Sequence, residues 1–120
     1  MLYVMELIFY QKRSGRVPVE EFIEKLHYKD RAKIAACLKS VEDLGFDSPR
    51  VQFRQIRGRL WEIKIKSYSG GYRIFYVSIG ADNIVLLHAY KKQTKKAPLK
   101  EIDIAEKRMW EVTNNEKSNA

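Results

Sequence analysis

VQFRQIRGRLWEIKIKSYSGGYRIFYVSIGADNIVLLHAY, residues 51–90, decides the fold. Its apolar positions recur with period 2, the mark of strands whose successive side chains point to opposite faces. Residues 53–56 make a short strand that ends at Arg57-Gly58, and residues 60–66 alternate. Trp61, Ile63 and Ile65 lie on one side and Glu62, Lys64 and Lys66 on the other, with Trp61 expected in the core. Ser69-Gly70-Gly71 is a hairpin turn, followed by a strand over 72–79, a turn at 80–83 and a last strand over 84–90. Those last two strands are apolar on both faces, as expected in the middle of a covered sheet.

Outward from this stretch the period changes. Residues 2–9 (LYVMELIF) read as a first strand. Pro18 suits a first helical turn, and Val19, Phe22, Ile23 and Leu26 form one apolar stripe. Asp30 is the expected N-cap of a second helix carrying Ile34, Cys37, Leu38, Val41 and Leu44, with Gly45 as its stop. His27, between the two helices, has no evident role. Cys37, on an apolar stripe, reads as an inert core thiol. Downstream, Lys91–Lys96 (KKQTKK) is a basic loop, and Pro98 opens a final helix with Ile102, Ala105, Met109 and Val112. The expected class is α+β, in the order β-α-α-β-β-β-β-α: an antiparallel meander with an N-terminal helical hairpin and a C-terminal helix, one layer on another. Residues 1–112 form one domain, and 113–120 (TNNEKSNA) a polar, frayed tail.

The charge is uneven. The 120 residues carry +8 overall, with 23 Lys+Arg against 15 Asp+Glu. Residues 50–100 hold twelve Lys/Arg and only two acids, Glu62 and Asp82, so this window carries +10 and the rest −2. Such a concentration is built to face a polyanion, with nucleic acid the leading candidate and a merely solvated basic face the plainer one. The cations do not lie on one amphipathic helix, so a membrane surface is not expected. Neither a signal peptide nor a bilayer span is read in the chain, and the single cysteine suits a reducing compartment, the cytoplasm.

The usual motifs of hydrolytic chemistry are missing. There is no phosphate-cradling glycine loop, no zinc-site spacing and no pair of carboxylates in the basic half, so neither metal nor cofactor is expected. What remains, cations and aromatics on a sheet, suits cleavage of RNA by its own 2′-hydroxyl. There, cations hold the charge of the pentacoordinate phosphate while a base and an acid move protons. Arginine is the natural stabiliser because its fork bonds two phosphate oxygens at once.

Several motifs, taken in order, carry a family resemblance. They are Ile56-Arg57-Gly58, Leu60-Trp61-Glu62-Ile63-Lys64, Gly71-Tyr72-Arg73-Ile74-Phe75-Tyr76, and the run from Leu86 through His88, Lys91, Lys92, Lys95 and Lys96 to Pro98. With Glu101-Ile102 and Ala105 behind them, the chain resembles the RelE/ParE superfamily of toxins of type II toxin–antitoxin systems, and within it the HigB-like, phage-derived branch. That resemblance implies a ribosome-dependent, metal-independent endoribonuclease that cuts mRNA and so inhibits translation. It also implies a HigA-like antitoxin with a DNA-binding helix-turn-helix, in a heteromeric toxin–antitoxin complex. A ParE-like inhibitor of DNA gyrase, of the same fold without nuclease activity, is the alternative.

Carried over residue by residue, the resemblance puts Arg73 at the scissile phosphate, with Lys64 and Lys92 beside it. Arg57, Arg59, Lys66, Lys91, Lys95 and Lys96 are the expected contacts to the RNA backbone. Two departures remove the family's acid and base: Glu62 stands where a second lysine is usual, and no tyrosine follows Lys92. His88, Lys95, Tyr76 and Tyr90 are the local substitutes. Plainer readings stand beside these. Arg73 could pair structurally with Glu62, His88 could be a satisfied sheet histidine sharing parity with Leu86 and Ile84, and Lys95 and Lys96 could be a solvated loop. Tyr68 could stack on a base or simply occupy a turn, and Trp110 could pack on the sheet or on a partner.

Overall fold

Residues 4–118 are described by the computed structural model. Along them run β1 (Glu6–Phe9), α1 (Pro18–Glu24), α2 (Tyr28–Leu44), a 3-10 turn (Gly45–Asp47), β2 (Gln52–Arg57), β3 (Leu60–Ser67), β4 (Gly70–Ser78), β5 (Asn83–Lys91) and α3 (Leu99–Ser118). The period-2 stretch becomes an antiparallel β2-β3-β4-β5 meander, as its hairpin turns require. β1 adds parallel to the outer edge of β5, giving the order β1-β5-β4-β3-β2 and confirming the α+β class. β1 begins at Glu6 because the Val4 and Met5 N–H groups donate to the Glu42 carbonyl on α2, at 3.0 and 3.1 Å, rather than to the sheet. Residues 2 and 3, read as part of this strand, lie outside the described residues.

The layering differs from expectation. β4 and β5, apolar on both faces, need cover on both, and the chain supplies it. Ile34, Cys37 and Val41 of α2 pack with Ile63, Ile65, Ile74 and Leu86 on one face. Ile102, Ala105 and Met109 of α3 pack with Leu60, Phe75, Val77 and Leu87 on the other. The sheet is therefore the middle of three layers, and each large aliphatic or aromatic side chain so buried contributes roughly 1.5–3 kcal/mol.

Local chemistry corrects four readings. Asp30 does not cap α2: the His27 ring Nδ1 accepts from the Lys29 N–H at 3.3 Å, and His27 is the cap. Trp61 is not core. It is 36% exposed, because α2 stops at Leu44 and leaves that end of the face uncovered. α3 runs on past residue 112, where Thr113 is buried and its hydroxyl donates to the Trp110 carbonyl at 3.3 Å, so residues 113–118 are helical. Residues 119 and 120 lie outside the described residues. Finally, a bulge interrupts the β4–β5 ladder: Phe75 pairs with His88, but Tyr76 pairs with Leu86. The extra residue reverses parity, so His88 faces α3 and not the side of Leu86 and Ile84.

Cys37 is buried, and burial pushes its thiol pKa up, as an inert core cysteine requires. Trp110 is 56% exposed on α3.

Candidate functional site

Residues opposite one another in an antiparallel ladder share a face. Gln52 pairs with Lys64, Lys64 with Arg73, and Arg73 with Tyr90, so one row crosses four strands on the face that α3 covers further along. The adjoining row is Arg54, Glu62, Phe75 and His88. Beyond the reach of α3, at the end of the sheet, a cleft of about 550 Å³ opens between residues 49–52 and the β3–β4 turn. Arg50, Lys64, Lys66, Arg73 and Lys92 all line it. Side chains from four separate segments thus bring five cations to one cavity.

Gly71 makes that convergence possible. A Cβ added there would sit 3.2 Å from Arg73 Nη1 and 3.6 Å from both Cβ and Cδ of Lys92. With only hydrogen at this position the guanidinium and the lysine stem pack across the strand, where the Lys92 N–H also donates to the Gly71 carbonyl at 2.8 Å. Asp30 anchors the same turn from α2. Its carboxylate accepts from Ser67 Oγ (2.6 Å), the Ser69 N–H (3.1 Å), Ser69 Oγ (2.5 Å) and the Tyr72 hydroxyl (3.2 Å). These bonds, those of Ser67 and Ser69 foremost, hold the Asp30 carboxyl well below the usual carboxylate range.

Arg73 is itself buried, only 7% exposed, and donates from Nη1 to the Tyr72 carbonyl at 3.1 Å. Its Nε lies 3.7 Å from Glu62 Oε1, while Arg54 Nη2 lies 2.5 Å from the same oxygen. Glu62 is fully buried, yet neither carboxylate oxygen accepts a hydrogen bond among the described residues. The ion-pair reading of Arg73 and its place in the cleft are therefore both present in one geometry. Tyr90, paired with Arg73 in the ladder, is held protonated: burial first and the Glu62 charge second push its pKa up to about 12. Tyr76 is on the opposite face.

The other expected contacts lie elsewhere. Arg57 forms a two-pronged ion pair with Glu106 of α3, at 2.6 and 2.5 Å, which ties the end of β2 to that helix. Arg59 donates to the Ser78 carbonyl at 2.6 Å, at the end of β4 remote from the cleft. Lys91 turns to the other face, over the Tyr72 ring (5.9 Å) and toward Ser69 Oγ (3.3 Å). Lys95 and Lys96 are exposed in the loop to α3. His88 is held beneath α3, with Nε2 2.9 Å from Glu101 and Nδ1 3.4 Å from Arg108. Burial lowers its pKa, against the opposing pull of Glu101, and it does not line the cleft.

Sequence reasoning missed Arg50, Arg54 and Gly71 as site residues. The two arginines lay within the basic window, but nothing in their spacing distinguished them from its other cations. Gly71 was legible as a turn residue and as the start of a resemblance motif, but not as the gap that admits Arg73 and Lys92.

Among the described residues no cluster of three or more His, Cys, Asp or Glu could hold a metal, and no helix is long and apolar enough to cross a membrane. Compared with known families, residues 21–110 match the model of the phage derived protein Gp49-like family (DUF891), a span that contains every residue of the cleft. A search of curated proteins found no match.

Proposed function

The chain belongs to the Gp49-like family of phage-derived proteins, a RelE/ParE-like family of toxin–antitoxin toxins, and from that premise we propose that it is a HigB-like, ribosome-dependent endoribonuclease. Toxins of this family are generally endoribonuclease-like, and membership implies an antitoxin partner. The observation that carries the reading is the convergence of Arg50, Lys64, Lys66, Arg73 and Lys92 on one cleft, a cavity whose charge suits a bent phosphodiester.

In this reading the substrate's 2′-hydroxyl gives its proton to solvent as its oxygen bonds to the adjacent phosphorus, while the bond to the 5′-oxygen breaks and that oxygen takes up a proton from solvent. The products are a 2′,3′-cyclic phosphate and a 5′-hydroxyl. Arg73 donates to the equatorial oxygens as charge builds on them, and its buried surroundings strengthen that contact. Lys64 and Lys92 flank the same phosphate, and Lys66 and Arg50 hold the chain on either side. The ribosome presents the mRNA, and a HigA-like DNA-binding antitoxin silences the protein.

Primer extension on mRNA in a translation reaction tests this. Arg73→Ala is expected to cut about 10²–10³-fold more slowly than the parent. Full-rate cleavage by that variant removes Arg73 from the mechanism.

A further inference from the structure

Where α2 ends at Leu44, four aromatic rings gather on the uncovered end of the sheet face. Trp61 pairs across the ladder with Tyr76. Phe53 meets Tyr76 edge-on at 6.0 Å, and Phe46 meets Phe53 edge-on at 5.0 Å. Phe46 and Trp61 remain 49% and 36% exposed, and the four rings line an open cleft of about 910 Å³. The exposure of Phe46 and Trp61 is more than the fold needs, since Phe53 and the buried Tyr76 already join the core beneath them.

The polar surroundings identify the occupant. Gln52 and Lys64 line this cleft and also the basic one, so the two cavities meet across edge strand β2. Arg54 stands at the same rim. Flat aromatic faces continuous with a cationic channel fit a single-stranded polynucleotide, whose bases stack on rings while its phosphates follow the cations. The Gln52 amide supplies a donor and an acceptor at the junction, the pairing a base edge presents.

We propose that the cleft of Phe46, Phe53, Trp61 and Tyr76 is a nucleobase subsite. It takes an RNA base adjoining the phosphate held by Lys64, which reaches both cavities where they meet at the sheet edge, and so contributes to the choice of cleavage position. This rests on the nuclease reading above, and its test separates the two.

The chain has two tryptophans, and Trp110→Phe leaves Trp61 as the sole indole. Against this variant, a short single-stranded RNA and an abasic ribose-phosphate strand of equal length are titrated at low ionic strength. Trp61 fluorescence and the anisotropy of the labelled strand are both followed. The expected result is quenching by RNA, binding without quenching by the abasic strand, and about tenfold weaker RNA binding on Trp61→Leu. Equal responses to both strands, or RNA binding that leaves Trp61 silent, overturns the subsite and leaves the basic cleft intact. A Trp61 silent to RNA but covered by the antitoxin assigns the surface to protein docking, and also overturns it. Failure of the RNA to bind overturns the subsite, while the nuclease reading stands or falls separately on primer extension with Arg73→Ala.

Discussion

Glu62 holds the centre of the site without touching solvent. Its carboxylate faces Arg54 and Arg73, accepts no hydrogen bond among the described residues, and is one of only two acids in the basic window. A buried charge compensated by two arginines rather than by hydrogen bonds is stable only while both cations stay near it. Glu62→Gln is therefore expected to lower stability by about 3 kcal/mol, as breaking one side of a buried ion pair does. It should also slow cleavage more than tenfold at temperatures where the variant is folded, because Arg73 loses its anchor. Denaturant melts with cleavage assays on the same samples check this, and parental rates in the folded variant would show that Arg73 needs no such hold. At this scale the sequence was partly legible. Arg73 and Glu62 could be paired from strand parity, since the lone acid had few possible partners. Trp61 was misread because parity states which face a side chain takes, but not whether a helix reaches far enough to cover it.

The β3–β4 hairpin is the element that shapes the cleft, and two residues control it differently. Gly71 admits the Arg73 guanidinium and the Lys92 stem. Gly71→Ala should leave the melting temperature unchanged or slightly raised, since alanine is favoured over glycine within a strand by roughly 0.5–1 kcal/mol. Cleavage should nonetheless fall at least tenfold, and full activity in this variant would mean that the close approach is incidental. Asp30 instead ties the turn to α2. Its folded pKa lies below the unfolded value, so its contribution is complete above about pH 4 and is lost as acid protonates it. Asp30→Asn is expected to be less stable at pH 7 and to show a shallower loss between about pH 4 and pH 2. Identical acid profiles for the two proteins would contradict this. The hairpin itself was plain from Ser69-Gly70-Gly71 between alternating runs. The β5 bulge was not, because an added residue leaves composition and propensity unchanged while reversing every later side chain, His88 and Tyr90 included.

The whole molecule brings five cations of the +10 window to one end of a sheet, while α2 and α3 cover most of its two faces. The net charge and element order were legible along the chain. The convergence was only partly so, since Arg57 and Arg59 belong to the same window yet sit at the opposite end of the strands, one of them bound to Glu106 of α3. The third layer escaped notice because an apolar stripe on a helix does not say which face of the sheet it will meet. If the cleft cations neutralise four phosphates, log Kd for single-stranded RNA should rise with log salt at a slope of about 3, and Lys66→Ala should reduce that slope by about 0.7. A flat salt dependence would contradict a phosphate-gripping site.

The most direct measurement follows mRNA integrity by primer extension and plasmid supercoiling side by side, in cells expressing the chain without its antitoxin. Discrete mRNA cuts with unchanged supercoiling, abolished by Arg73→Ala, are the predicted result. Relaxed plasmid with intact mRNA would place the target at DNA gyrase and contradict the nuclease.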